Sequence, residues 1–135
     1  MSKEFVGYGG LDADLGAPLS PGVLCDGWLF VSGQMAIDLE AKQVVRGTME
    51  EQARLALQNL KLVLEEGGCT FDDVVKTTIH IADFGDFAGL NKAYSECFKG
   101  VRPARTTVVS GLWNGLLVEI DAVARVPAGD TRSED

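Results

Sequence analysis

Arg105, in the run Pro103-Ala104-Arg105-Thr106-Thr107-Val108-Val109, is the side chain of this sequence best placed to hold an anion. Pro103 ends what precedes it and biases Arg102 toward extended geometry, while the β-branched residues Thr106 to Val109 favour a pleated strand. A guanidinium at the edge of a buried strand needs a partner, because a lone buried charge is costly. Its planar fork suits a carboxylate held by two parallel hydrogen bonds. Glu119 supplies an acid on the next predicted strand, a hairpin away, so the two are expected to reach one pocket. Either they form a structural ion pair, or Arg105 is kept for a ligand's carboxylate while Glu119 holds a water or moves a proton.

Further polar groups are candidates for the same pocket. Ser32-Gly33-Gln34 closes a predicted strand, and there the glycine permits close backbone approach and the flanking residues offer donors, although such a pair is also a common turn. Asn91 interrupts the apolar stripe of a predicted helix and is placed to aim an amide inward. His80 is the only histidine and has no Ser/Asp or Cys partner near it in sequence, so it is read as a structural strand residue. The three cysteines, Cys25, Cys69 and Cys97, show neither a Cys-x-x-Cys pair nor metal-like spacing against His80. Reduced thiols, with no disulfide framework and no zinc site, are expected.

The elements that position these groups follow from periodicity. Val23 to Cys25 and Trp28 to Ser32 flank Asp26-Gly27, the residues of a tight β-hairpin. Thr48 with Glu51 makes a capping box, and Met49, Ala53, Ala56, Leu57, Leu60, Val63 and Leu64 keep helical spacing until Gly67-Gly68. Thr70 to Asp73 is a short turn. In the strand Val74 to Ile81, alternation places Val75, Thr77, Ile79 and Ile81 on one face and Lys76, Thr78 and His80 on the other. Asp83, with Asp86 at N3, is expected to cap a second helix striped by Phe87, Leu90, Tyr94, Cys97 and Phe98 and ended by Gly100. Arg105 to Ser110 is a strand and Trp113-Asn114-Gly115 a turn. In the last strand, Leu116 to Val126, Val118, Ile120, Ala122 and Ala124 oppose Glu119, Asp121 and Arg125. Two helices then cover one face of a mixed sheet, leaving an open face suited to packing against copies of the chain.

At 135 residues the chain has the length of one domain, 1–135, whose core needs no staples. Segments 1–18 and 128–135, rich in Gly, Asp and Pro or in acidic residues, are expected to be loosely ordered. Twelve Lys and Arg against twenty Asp and Glu give a net charge of −8, which argues against a phosphate backbone as partner. No run has signal-peptide character or approaches the ~20 apolar residues of a membrane span, so a soluble, cytoplasmic protein is expected.

Val31-Ser32-Gly33-Gln34, Gln52 to Asn59, Leu64 to Gly68, Val74 to Thr78, Asp86-Phe87-Ala88 with Asn91 and Tyr94, Pro103-Ala104-Arg105 and Val118-Glu119-Ile120 together resemble the RidA/YjgF family of enamine/imine deaminases. The likeness runs in order through nearly the whole chain after about residue 18. It implies an α+β, chorismate-mutase-like fold with a six-stranded sheet covered on one face by two helices. It implies a homotrimer whose sheets pack into a central barrel, with sites at subunit interfaces and no cofactor. It also implies a reaction, in which Arg105 grips the carboxylate of a 2-imino or 2-enamino acid and Glu119 orients the attacking water. Ser32, Gly33, Phe87, Asn91 and the backbone around Thr107 complete the implied pocket. The chain departs from the family pattern at Leu19, where archetypal members carry tyrosine, at Thr107, where many carry cysteine, and at Trp113, which replaces a usual proline. Loss of the phenol at Leu19 opens the way to a substrate larger than 2-aminoacrylate. Two alternatives stand beside this reading: a non-catalytic sensor of small carboxylic acids, and a ribonuclease, which the acidic balance and the lack of a histidine pair disfavour.

Overall fold

Asp26 and Gly27 take φ of 57° and 80° and join strands β2 and β3 in the expected hairpin. The computed structural model describes residues 2–128. In chain order its elements are β1 (Glu4–Val6), β2 (Gly22–Cys25), β3 (Trp28–Gln34), β4 (Ile37–Asp38), β5 (Gln43–Val44), α1 (Met49–Glu66), β6 (Val74–Ile81), α2 (Phe87–Cys97), β7 (Ala104–Val109) and β8 (Val118–Arg125). Six strands form one sheet in the order β1-β2-β3-β8-β6-β7, and β4 and β5 pair separately. Within the large sheet only β6 and β7 are parallel neighbours, connected through α2. The fold is α+β, with both helices on one face.

That face is the core. Leu29, Val31, Ile79, Ile81, Val118, Ile120, Ala122 and Ala124 are buried from the sheet side. Ala53, Ala56, Leu57, Leu60, Val63 and Leu64 of α1 meet them, together with Leu90 and Tyr94 of α2. α1 begins where its capping box was legible: Glu51 N–H donates to Thr48 Oγ1, and Thr48 N–H donates to Glu51 Oε1. Among the described residues the other face has no helix, and its apolar side chains run across the strands in register, Phe5 beside Val23, Val23 beside Phe30, and Phe30 beside Val123. Phe5 and Phe30 are 67% and 49% exposed, an apolar stripe that calls for cover.

Four expectations need correction. Segment 1–18 is not uniformly loose: β1 adds an edge strand to β2, and Val6 and Tyr8 are buried in the core. The part of the acidic tail beyond Ala128 lies outside the described residues. Asp86, not Asp83, caps α2 by accepting from Gly89 N–H, while Asp83 turns the chain just upstream by accepting from Gly85 N–H. In β6 the face assignment slips at its start, because a register shift between Val74 and Lys76 buries Val74 and leaves Val75 45% exposed. From Thr77 onward the expected alternation holds. The last correction concerns β7 and β8, which are not adjacent; β6 lies between them.

Candidate active site

Arg105 sits on the edge strand β7 opposite Thr77 of β6, and partners in register project to the same side of a sheet. Thr77 is fully buried beneath α2, where its hydroxyl lies 2.7 Å from the Tyr94 hydroxyl. Arg105 therefore also faces α2. Its guanidinium carbon stands 4.8 Å from the centre of the Tyr94 ring and 5.5 Å from that of Phe87, two aromatic faces that favour a cation. Arg105 Nε donates to Thr107 Oγ1 at 2.8 Å, fixing the plane of the fork.

No carboxylate answers it. Among the described residues Arg105 forms no ion pair, and its Nη2 is buried without a hydrogen-bond partner. Burial pushes the guanidinium pKa down, with only the Tyr94 phenol opposing. Burial likewise raises Tyr94, and its bond to Thr77 partly offsets this. Asn91 lies one turn beyond Phe87 on α2, partly buried. Arg105, Phe87, Tyr94 and Thr107 thus make a sheltered cationic cluster, the candidate half-site for an anion, with Asn91 on the same helix face one turn beyond Phe87. Sequence reasoning missed Tyr94 and the Thr107 hydroxyl as its clamps, assigning the first to the core stripe and the second to a backbone role. The available signal was spacing: Phe87, Asn91 and Tyr94 recur on one helix face, and Thr107 follows Arg105 by two residues on one strand face.

Glu119 lies elsewhere. It is in register with His80, three residues beyond Thr77 on β6, and so projects from the open face. The expected single pocket for Arg105 and Glu119 does not exist within one chain. Beside Glu119 is the β3 bulge: Val31 pairs with Ala122 but Gln34 pairs with Ile120, so Ser32 and Gly33 are accommodated in a register shift. A Cβ on Gly33 would stand 2.8 Å from Glu119 Cγ, so the glycine is what lets the carboxylate lie against the β3 backbone. The Glu119 carboxylate forms no ion pair or hydrogen bond among the described residues. Two expected donors turn inward instead. The Ser32 hydroxyl donates to Ser20 O at 2.7 Å, and Gln34 accepts from the Tyr8 phenol in the core. His80 Nδ1 lies 3.1 Å from Ser110 Oγ, a local tie between β6 and the end of β7.

Gly33 and Ser32 also border a cleft of about 820 Å³ beneath residues 11–19, whose walls include Leu19 and Trp113. Among the described residues no three His, Cys, Asp or Glu side chains gather as metal ligands would, and no helix is long and apolar enough to cross a membrane.

Known proteins share this arrangement of elements. Residues 13–126 match the family model described as Endoribonuclease L-PSP. A RutC family protein of Pyrococcus abyssi is 38% identical over 125 residues, covering 92% of this chain and 98% of its own. The human 2-iminobutanoate/2-iminopropanoate deaminase is 42% identical over 108 residues, 79% of each chain. The crystal structure of a Rid family protein of unknown function from Yersinia pestis superposes with a TM-score of 0.86 at 35% identity, covering 93% of this chain and 100% of the other. On sequence and structure together, the chain belongs to the RidA/YjgF family, the family described as Endoribonuclease L-PSP.

Proposed function

We propose that the protein hydrolyses carboxylate-bearing imines and enamines, releasing ammonia and a 2-keto acid, at sites built between copies of the chain. The observation that carries this reading is Arg105, a clamped and largely sheltered guanidinium whose Nη2 has no partner. Such a group is pre-organised for a ligand carboxylate, because its fork is already oriented and dehydrated before the ligand arrives. The name of the human relative supports the imine as substrate class.

Arg105 and Glu119 leave opposite faces of one sheet, so the complete site needs Arg105 from one copy and Glu119 from another. The uncovered stripe of Phe5, Val23 and Phe30 gives the copies an apolar surface to bury. A homotrimer, as the family resemblance implies, closes such a heterologous contact. In the reaction, the substrate carboxylate takes the Nη1–Nη2 edge that the Thr107 bond leaves on the Arg105 fork, and the imine carbon comes to rest beside Glu119. Glu119 accepts a proton from water as the water oxygen bonds to that carbon and the C=N electron pair moves to nitrogen. That proton passes to the nitrogen to give a carbinolamine, whose hydroxyl proton then moves through Glu119 to the amine as the C–N bond breaks, so that ammonia leaves and the carbonyl forms. An imine carbon is already electrophilic, so positioning and one carboxylate suffice.

The test is ammonia release from imines generated in situ by an amino-acid oxidase. The pure protein is expected to speed it and Arg105→Ala to abolish the gain. If the protein has no effect and Arg105→Ala changes nothing, the reading fails; ligand-induced thermal stabilisation without turnover would leave a carboxylate sensor.

A further inference from the structure

We infer that Thr107 is a positioning residue that decides how the substrate is held: its hydroxyl occupies one edge of the Arg105 guanidinium and admits a carboxylate only at the other. This role rests on the deaminase reading and adds to it the group that sets the direction in which the substrate leaves its anchor. A guanidinium offers a carboxylate two edges with parallel donors, one made by Nε and a terminal nitrogen, the other by the two terminal nitrogens. The two modes carry the rest of the ligand in different directions, so an anchor that serves a reaction must be limited to one of them.

The strand supplies that limit. Arg105 and Thr107 are alternate residues of β7, in register with Thr77 and Ile79 of β6, so both side chains leave the sheet on the α2 side. The 2.8 Å bond from Nε to Thr107 Oγ1 folds the long arginine side chain along its own strand. Its acceptor is itself steady, because a β-branched threonine has restricted χ1 freedom. With Nε engaged, only the Nη1–Nη2 edge is left, and there Nη2 is buried with no partner among the described residues.

The aromatic neighbours do not make this choice. Tyr94 and Phe87 attract the guanidinium through their ring faces, 4.8 Å and 5.5 Å from its carbon, and that attraction changes little as the fork turns in its own plane. A hydrogen bond to one named nitrogen does depend on the turn. Nor is the bond a support of the fold, since it links two residues of one edge strand and bridges no two elements. Its consequence falls on binding: an arginine immobilised beforehand gives up less of the ligand's binding free energy to ordering than one that must be immobilised on arrival.

The experiment measures KM and kcat for the imines generated in situ from alanine and 2-aminobutyrate, in Thr107→Val, Thr107→Cys and Thr107→Ser. The valine variant keeps the shape and loses the acceptor, and is expected to raise KM roughly three- to tenfold with kcat within about twofold of wild type. Thr107→Ser is expected to restore KM, and Thr107→Cys, with a weaker acceptor, to fall between. In an Arg105→Lys background Thr107→Val is expected to change nothing further, because lysine has no Nε edge to close. An unchanged KM in Thr107→Val, or the same rise in the lysine background, overturns the inference. If the wild-type protein turns over no imine, the deaminase reading falls separately, and calorimetric titration with pyruvate and 2-oxobutyrate decides the role of Thr107. Binding weakened by the same factor in Thr107→Val and restored in Thr107→Ser supports it, and equal binding or none overturns it.

Discussion

Arg105 and Glu119 project from opposite faces of the same sheet, because their partners on β6, Thr77 and His80, are three residues apart in a strand that alternates. A site using both must draw them from different copies. Mixed oligomers test this directly. Arg105→Ala and Glu119→Gln chains, each inactive alone, are expected to regain activity when unfolded together and refolded. With random assembly into closed rings, about one site in four receives an intact Arg105 and an intact Glu119, so roughly a quarter of wild-type activity is expected. Mixed oligomers verified by mass that stay inactive would sink the inter-copy site.

Arg105→Lys keeps the charge and discards the fork. Nε no longer reaches Thr107 Oγ1 in the plane set by that 2.8 Å bond, and a point charge replaces two parallel donors. Charge-assisted hydrogen bonds contribute about 1.5–3 kcal/mol each. The lysine variant is therefore expected to lose at least tenfold in kcat/KM, chiefly through KM, with little change in melting temperature. Unaltered KM would mean that the guanidinium does not touch the substrate.

Gly33→Ala isolates the other half-site. The new methyl would collide with the Glu119 side chain, 2.8 Å from Cγ, and that side chain can swing aside because it is exposed on one flank. The fold is expected to survive while the carboxylate is displaced by about an ångström, a misplacement that costs on the order of a hundredfold in rate. Circular dichroism and kcat measured on the same sample check it. A folded Gly33→Ala protein with full kcat would remove Glu119 from the reaction.

The hairpin at Asp26-Gly27, the capping box at Thr48 and Glu51, and the alternation of β8 were legible because each is set by residues close in sequence. The insertion of β6 between β7 and β8 was not, since strand order is decided by long-range pairing that leaves no local mark. That one unknown moved Glu119 away from Arg105. The shift at Val74–Lys76 was hidden for a related reason: Val74 and Val75 are equally good core residues, and the partner strand chooses which is buried. The residue types of the proposed pair were readable, whereas their division between two faces depended on the register of β6 against both neighbours.

Asn59 ties the cleft floor to α1. Its buried amide donates at 3.1 Å and 2.9 Å to the carbonyls of Met35 and Ile37, the segment that leaves the β3 bulge. Asn59→Ala removes the side-chain donor from both carbonyls, leaving Met35 O with the Ile37 N–H, and opens a small void. A loss of about 2–4 kcal/mol in unfolding free energy is expected by denaturant titration. A change below about 0.5 kcal/mol would show the segment is held by its apolar contacts alone.

Arg54 bridges the two helices through Glu50 of α1 and Glu96 of α2, and gives stability a pH dependence whose sign is fixed. Its hydrogen bonds hold both carboxyl pKa values below their ordinary range. Carboxyls whose folded pKa lies below the unfolded value, about 4.3 for glutamate, stabilise the protein above that value and lose the contribution as pH falls through the folded one. Arg54→Ala is therefore expected to melt below wild type at pH 7, with the gap closing as both carboxyls protonate toward pH 3. Because the network is exposed, salt should narrow the gap at neutral pH as well. A gap that survives acid and salt alike would instead assign Arg54 to packing through its aliphatic stem, which does not depend on the charge of its partners.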